Sequence, residues 1–218
     1  MSASPRARIR DSAVATGKGD DGTTGLLFGG ARITKDDPRT EAYGTIDEAV
    51  AALGLARAEL GARAQDATLP AGLAGLGPII LRLQRELFVA AAELATGADA
   101  WDRLRDGETR VDAAMIAGLE DLLAETEAGI TMPHEFIVPG ETRTSAALEL
   151  ARTIIRRAER RAVALRGAGL IAGSHLLPYL NRLADLVWVL ARAAEQAEAR
   201  SPVPSRTRRA RPGNDSRT

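Results

Sequence analysis

The sequence predicts an all-α fold, a bundle of five helices behind a Gly-rich N-terminal loop. Three observations carry the prediction. Across Thr142–Arg166, at 100° per residue, Ala147, Ala151, Ile154, Ile155, Ala158, Ala162 and Leu165 form one continuous apolar stripe. Most of them are alanines, and small side chains let a second helix approach closely, which makes this an inner helix. Aromatic residues are only 3% of the chain, while alanine and leucine fill the periodic segments, so the core is aliphatic helix packing rather than a β-sandwich.

Taken in order, residues 1–12 read as a disordered leader, residues 13–199 as one helical domain, and residues 200–218 as a disordered Arg-rich tail. The stretch from Ala13 to Arg39 carries Gly17, Gly19, Gly22, Gly25, Gly29 and Gly30, too many glycines for a helix. Such a loop can present several backbone N–H groups to an anion, and Thr16, Lys18, Thr23 and Thr24 add donors and one charge suited to a polyphosphate. It is not a Walker A loop, since GxxxxGK[ST] is missing, and by spacing alone it is also compatible with a flexible arm.

Asp36 or Asp37 before Pro38 marks a helix start, and the first long helix runs from there to about Ala64. Tyr43, Asp47, Ala51, Gly54 and Ala58 share one face of it; an acid on a small-residue packing face needs a cationic partner, and an arginine of another helix is the natural one. The second helix spans Pro78–Ala95 and the third Val111–Ala128, ending at Gly129 as a C-cap. Glu120, Asp121, Glu125 and Glu127 of the third read as solvated charge. An extended segment closed by Pro139-Gly140 then delivers the chain into the central helix, and its Phe136 is either a core plug or a ligand contact. The last helix starts near Ser174 or Leu177 and runs to about Ala199 on Leu180, Leu183, Ala184, Val187 and Ala191.

Composition excludes several chemistries. There is no cysteine, hence no disulfide, thiolate metal site or cysteine nucleophile. With His134 and His175 the only histidines, a His-rich metal centre is not offered. Net charge is zero, unlike a general nucleic-acid binder. No apolar run approaches the ~20 residues of a membrane span, and the first ten residues lack the apolar core of a secretory signal, so the chain reads as cytoplasmic.

Two polar stripes remain. Arg152, Arg156, Glu159 and Arg160 run beside the apolar stripe of the central helix, and Asn181, Asp185, Trp188 and Arg192 beside that of the last. Each is also what an ordinary solvated helix face looks like.

Four segments, TGKGDDGTTGLL, KDDPRTEAYGTIDE, FIVPGETRTSAALELARTIIRRAERR and LNRLADLVWVLAR, in this order and spacing, resemble the PduO-type ATP:cob(I)alamin adenosyltransferases over roughly residues 13–195. The resemblance implies a ferritin-like five-helix bundle assembled as a homotrimer, with ATP and the corrinoid in a cleft between adjacent subunits. It implies transfer of the 5′-deoxyadenosyl group of ATP to the cobalt of cob(I)alamin, with Mg²⁺ on the triphosphate, a flavin reductant and an adenosylcobalamin-dependent mutase as partners, and neither nucleic acid nor membrane. By matching positions it places Thr16, Gly17, Lys18, Gly19, Asp20 and Thr24 in the ATP loop, with Lys35 reaching the phosphates. Arg156, Glu159 and Asn181 fall at the nucleotide, and Arg160 on the same positive seam. Asp47 and Arg152 match an acid and an arginine that pair near the corrinoid. Phe136 matches the aromatic that displaces the lower ligand of cobalt, with Trp188 a further aromatic. No protein metal ligand is implied.

Two departures stand out. The family loop reads Thr-Lys-x-Gly-Asp, whereas Gly17 holds the lysine position here and Lys18 follows it; the family's Pro-Gly-Gly is Pro139-Gly140-Glu141. Cob(I)alamin is itself a strong nucleophile, so the protein has only to bind, orient and compensate charge. The rival reading is a carrier that holds adenosylcobalamin for a mutase, which would leave a triphosphate site without purpose; a bare helical scaffold would leave the loop and both polar stripes unexplained.

Overall fold

In a computed structural model, residues 14–173 and 175–206 are described. The expected leader, residue 174 and the tail from 207 onward lie outside the described residues. Five α-helices carry the fold: α1 (Pro38–Gln65), α2 (Leu76–Leu94), α3 (Ala113–Ala128), α4 (Arg143–Gly167) and α5 (Leu176–Ala197). Their starts follow the local chemistry. Asp37 caps α1 by accepting from the Arg39 N–H at 2.7 Å with Pro38 at the first position, and Asp112 caps α3 through Met115. Thr142 and Ser145 form a reciprocal capping box on α4. Gly129 ends α3 in the right-handed region, without the left-handed turn that a C-terminal glycine often supplies.

α4 packs against both α1 and α5, α2 packs on α1, and α3 on α5. The small-residue stripe causes this: Ala151, Ile155, Ala158, Ala162 and Leu165 are buried, facing Ala42, Ile46, Ala49 and Leu53 on one side and Leu180, Leu183, Val187 and Ala191 on the other. α1 and α4 run antiparallel, laced outside the core by Glu41–Arg161, Glu48–Arg157 and Glu59–Arg143. Each buried leucine contributes about 1.5–3 kcal/mol, whereas these exposed ion pairs contribute about 0–1 kcal/mol each, so the apolar faces set the arrangement.

Buried polar groups tie the connectors to the bundle. Arg39 donates to the carbonyls of Leu94 and Thr96, satisfying the C-terminal end of α2, and the Leu27 N–H donates to Ala95 O, which anchors the Gly-rich loop at that end. Glu93 accepts from Val111 N–H and Gly173 N–H at 2.9 and 3.1 Å, holding two separate connectors to α2.

The described structure continues past residue 199. After α5 the chain turns back, and β4 (Val203–Pro204) pairs antiparallel with β3 (Ile137–Val138), extended by Ser205 N–H to Phe136 O at 2.8 Å. The Pro- and Ser-rich composition that suggests disorder here also suits an extended edge strand, since proline is tolerated at an edge. A second ribbon, β1 (Thr23–Thr24) with β2 (Ile33–Thr34), lies within the N-terminal loop.

Candidate active site

The seam between α4 and α5 carries Arg152, Arg156, Glu159, Arg160, Asn181 and Trp188, while the rest of the predicted site lies in the Gly-rich loop, on α1 and in the segment before α4. Asn181 Nδ2 donates to Glu159 Oε1 at 3.1 Å, and the other Glu159 oxygen is 3.4 Å from Arg156 Nη1. Arg156 is exposed, so its guanidinium keeps donors for a ligand, while Arg160 donates to the Arg156 carbonyl from the surface.

One to two turns earlier on α4 lies a buried charged group. Arg192 is fully enclosed: its Nε and Nη2 donate to Glu195 at 2.8 and 2.7 Å, its Nη1 to Glu149 at 2.9 Å, and its plane lies 5.4 Å from the Trp188 ring centroid. Glu149 shares its second oxygen with Arg152 Nε at 2.7 Å. Two cations and two anions cancel here, with every polar atom of the Arg192 fork engaged, which is what makes such burial tolerable.

Arg152 and Trp188 line two adjoining clefts. The larger, about 650 Å³, is lined by Phe136 and its neighbours together with Ser205 and Arg206, which follow the paired strand, and by Glu149 of α4. The smaller, about 430 Å³, includes Arg156, Asp185 and Glu127. The Phe136 ring is 87% exposed, so the core-plug alternative falls. Its backbone is fixed by the β3–β4 ribbon, and Gly140 allows the turn into α4 with φ at +133°, a region closed to most side chains.

The Gly-rich loop is organised by a residue the sequence did not single out. Arg32 donates from Nη2 to the carbonyls of Lys18 and Thr23, and from Nε to Thr23 Oγ1. Asp21 accepts from the backbone and hydroxyl of Thr23, which holds its carboxyl below the ordinary range. Lys35 lies over Gly19 so closely that a Cβ there would sit 3.0 Å from its Nζ, placing both in one turn with Asp20 and Gly22. Thr16 and Gly17 open the loop, Gly17 with φ at +68°, and Thr24 sits in β1. Among the described residues, no hydrogen bond or ion pair joins residues 16–35 to Arg156, Glu159 or Asn181 within the chain.

Asp47 lies on the outside of the bundle, not on its packing face. It is exposed, without an ion pair among the described residues, and the acid that holds Arg152 is Glu149. The buried stripe of α1 runs through Ala42, Ile46, Ala49, Leu53, Ala56 and Leu60; Asp47, Ala51 and Ala58 lie on the outward side instead. Glu120 is exposed as expected and makes a surface ion pair with Arg182 at 3.0 Å. The sequence reading passed over Glu149 and Glu195 and left Arg192 on a surface stripe. The available signal was their spacing, since both lie three residues from an arginine.

Comparison with known proteins identifies the family. A family model described as cobalamin adenosyltransferase matches residues 14–194. The corrinoid adenosyltransferase of Citrobacter freundii is 38% identical over 182 residues, covering 84% of this chain and 94% of that protein. The corrinoid adenosyltransferase of Bacillus subtilis is 38% identical over 177 residues, covering 81% and 83%. A variant of the PduO-type ATP:corrinoid adenosyltransferase from Lactobacillus reuteri, complexed with cobalamin and ATP, superposes with a TM-score of 0.74 at 29% identity, over 88% of this chain and 98% of that one. With its loop, α1 to α4 and α5 as far as residue 194 inside the matched region, this chain belongs to the cobalamin adenosyltransferase family.

Proposed function

We propose that this chain transfers the 5′-deoxyadenosyl group of ATP to the cobalt of cob(I)alamin. The carbon–oxygen bond at C5′ breaks, triphosphate leaves with its electron pair, and the cobalt–carbon bond forms with the pair supplied by Co(I). The observation that carries this reading is that Arg152 and Trp188 line two clefts at once, one walled by exposed Phe136 and one containing Arg156. The first offers aromatic surface for a corrin face, and the second offers positive charge for a polyphosphate.

In this reading Arg156 compensates the departing triphosphate, with Asn181 and Glu159 fixing its setting. The loop from Thr16 to Thr24 supplies backbone donors, with Lys18 and Lys35 supplying charge. Phe136, aimed from the β3–β4 ribbon, excludes water and the lower ligand from one face of cobalt. Mg²⁺ would enter with the triphosphate, as a metal–nucleotide complex.

The reading includes a homotrimer with the site between subunits. Two observations support it: among the described residues no hydrogen bond or ion pair joins the loop to Arg156, Glu159 or Asn181, and exposed Asp47 has no ion pair while the terminal nitrogens of Arg152 make no hydrogen bond. Asp47 of one subunit against Arg152 of the next would satisfy both. Upstream, the chemistry needs a one-electron reductant, for which a reduced flavin suffices; downstream it needs an adenosylcobalamin-dependent enzyme such as a mutase. The cytoplasm, where ATP and reducing equivalents meet, is the compartment this implies.

The test is ATP, magnesium and chemically reduced cobalamin with the purified chain, followed in the visible spectrum. Appearance of adenosylcobalamin with release of triphosphate is expected. Corrinoid binding without turnover would replace the transferase by a carrier.

A further inference from the structure

Arg192 heads the fully buried side chains in size, and no step of adenosyl transfer uses it. A buried ion pair is a poor device for stability alone, because well-packed apolar residues in its place are often neutral or stabilising. What the group does is visible in its outer contacts. Glu149 divides its carboxylate, one oxygen to Arg192 and the other to Arg152 Nε. Arg152 is thereby gripped at its inner nitrogen, and its two terminal nitrogens make no hydrogen bond among the described residues. Both clefts are lined by Arg152. On the other side, the Arg192 plane backs the Trp188 ring, which lines the same two clefts. One guanidinium thus sets a cation and an aromatic ring that sit on different helices.

We infer that Glu149, Arg192 and Glu195 are a buried positioning array that fixes Arg152 and Trp188 at the floor of the corrinoid cleft; this deepens the adenosyltransferase reading and rests on it for the ligand. The guanidinium fork is essential to the device, since a lysine ammonium cannot bridge Glu195 and Glu149 in fixed directions while stacking on an indole. Loosening the array degrades corrinoid binding selectively, because Arg156 and the Gly-rich loop do not depend on it.

The chain has two tryptophans, so Trp101→Phe leaves Trp188 as the only indole. In that background three variants are compared: Glu149→Gln, Arg192→Lys, and the apolar double Arg192→Met with Glu195→Leu. Iodide quenching of Trp188 is expected to rise about twofold or more, reporting a freed ring without any substrate. The KM for cob(I)alamin is expected to rise roughly tenfold, the scale of one lost charge-assisted hydrogen bond, while the KM for ATP stays within about twofold. Should the single variants fail to fold, the double, which removes both charges together, decides. A folded variant with unchanged quenching and an unchanged corrinoid KM would overturn the array. If the parent itself makes no adenosylcobalamin, the transferase reading falls, and the iodide measurement still decides whether the array positions Trp188.

Discussion

Asn181 holds Glu159 across the α4–α5 seam at 3.1 Å, and Glu159 lies 3.4 Å from Arg156. The amide steers the carboxylate, and the carboxylate steers the guanidinium without burying it. Arg156→Ala is therefore expected to raise the KM for ATP by about 10–100-fold, the scale of losing charged hydrogen bonds to phosphate, with the fold intact. Steady-state kinetics with thermal melting checks this; a normal ATP KM would move the triphosphate elsewhere.

Phe136→Ala is expected to leave the melting temperature within about 2 °C, since an exposed ring contributes little to the core, while slowing adenosylation and sparing ATP affinity. The visible spectrum of bound cob(II)alamin should report retention of the lower ligand in the variant. Substantial destabilisation at normal specific activity would contradict this assignment.

The fold was legible because its cause is periodic. Ala151, Ile155, Ala158 and Ala162 repeat at helical spacing, and an aspartate before Pro38 marks a helix start, so one sequence window contains the needed information. The site was legible only where one helix face holds it, as with Arg152, Arg156 and Glu159. Asp47 was misplaced because a five-residue face of small side chains looks the same whether it meets its own bundle or faces outward. Arg192 was taken for surface because nothing within its helix reveals that Glu149, 43 residues away, awaits it. Residues 203–206 escaped because a two-residue strand has no periodicity, only a partner.

For the loop, Lys18→Ala is expected to raise the KM for ATP by about tenfold if that side chain reaches phosphate. Gly19→Ala should do likewise through Lys35, which its Cβ would displace. Restoring the family's lysine at position 17 will be incomplete, because Gly17 has φ at +68° and a side chain there is strained. Arg32→Ala, which removes the donors to Lys18 O and Thr23, should affect ATP at least as strongly. Isothermal titration with ATP ranks the four; unchanged affinity in Lys18→Ala would leave Lys35 and Arg156 as sufficient.

The trimer is expected as a species of three 23.0 kDa chains in sedimentation. Leu55, Leu150 and Val163 on the outward sides of α1 and α4 provide exposed apolar surface for it. A double-mutant cycle between Asp47→Ala and Arg152→Ala, read as corrinoid affinity, should show coupling across subunits. A monomer at micromolar concentration would remove the inter-subunit site.

Glu93 gives a pH dependence. Burial raises its pKa above the ordinary 4.5, outweighing the N–H groups of Val111 and Gly173 that favour the charged form. Between the unfolded and the raised folded pKa the folded chain holds the extra proton. This contribution to stability is thus fully present below 4.5 and is lost as pH rises through the folded value. Melting temperatures of Glu93→Gln and the parent across mildly acidic to neutral pH should diverge over that window, with the parent losing ground as pH increases; parallel curves would refute it.

Ser205 and Arg206 stand in the wall of the larger cleft, and Thr16 opens the Gly-rich loop. A label placed directly beside Thr16 or Arg206 would therefore stand at the proposed ligand sites. An immobilised or dye-labelled preparation is better built on the cysteine-free body, with a single thiol introduced at exposed Glu108, in the α2–α3 connector and outside both clefts.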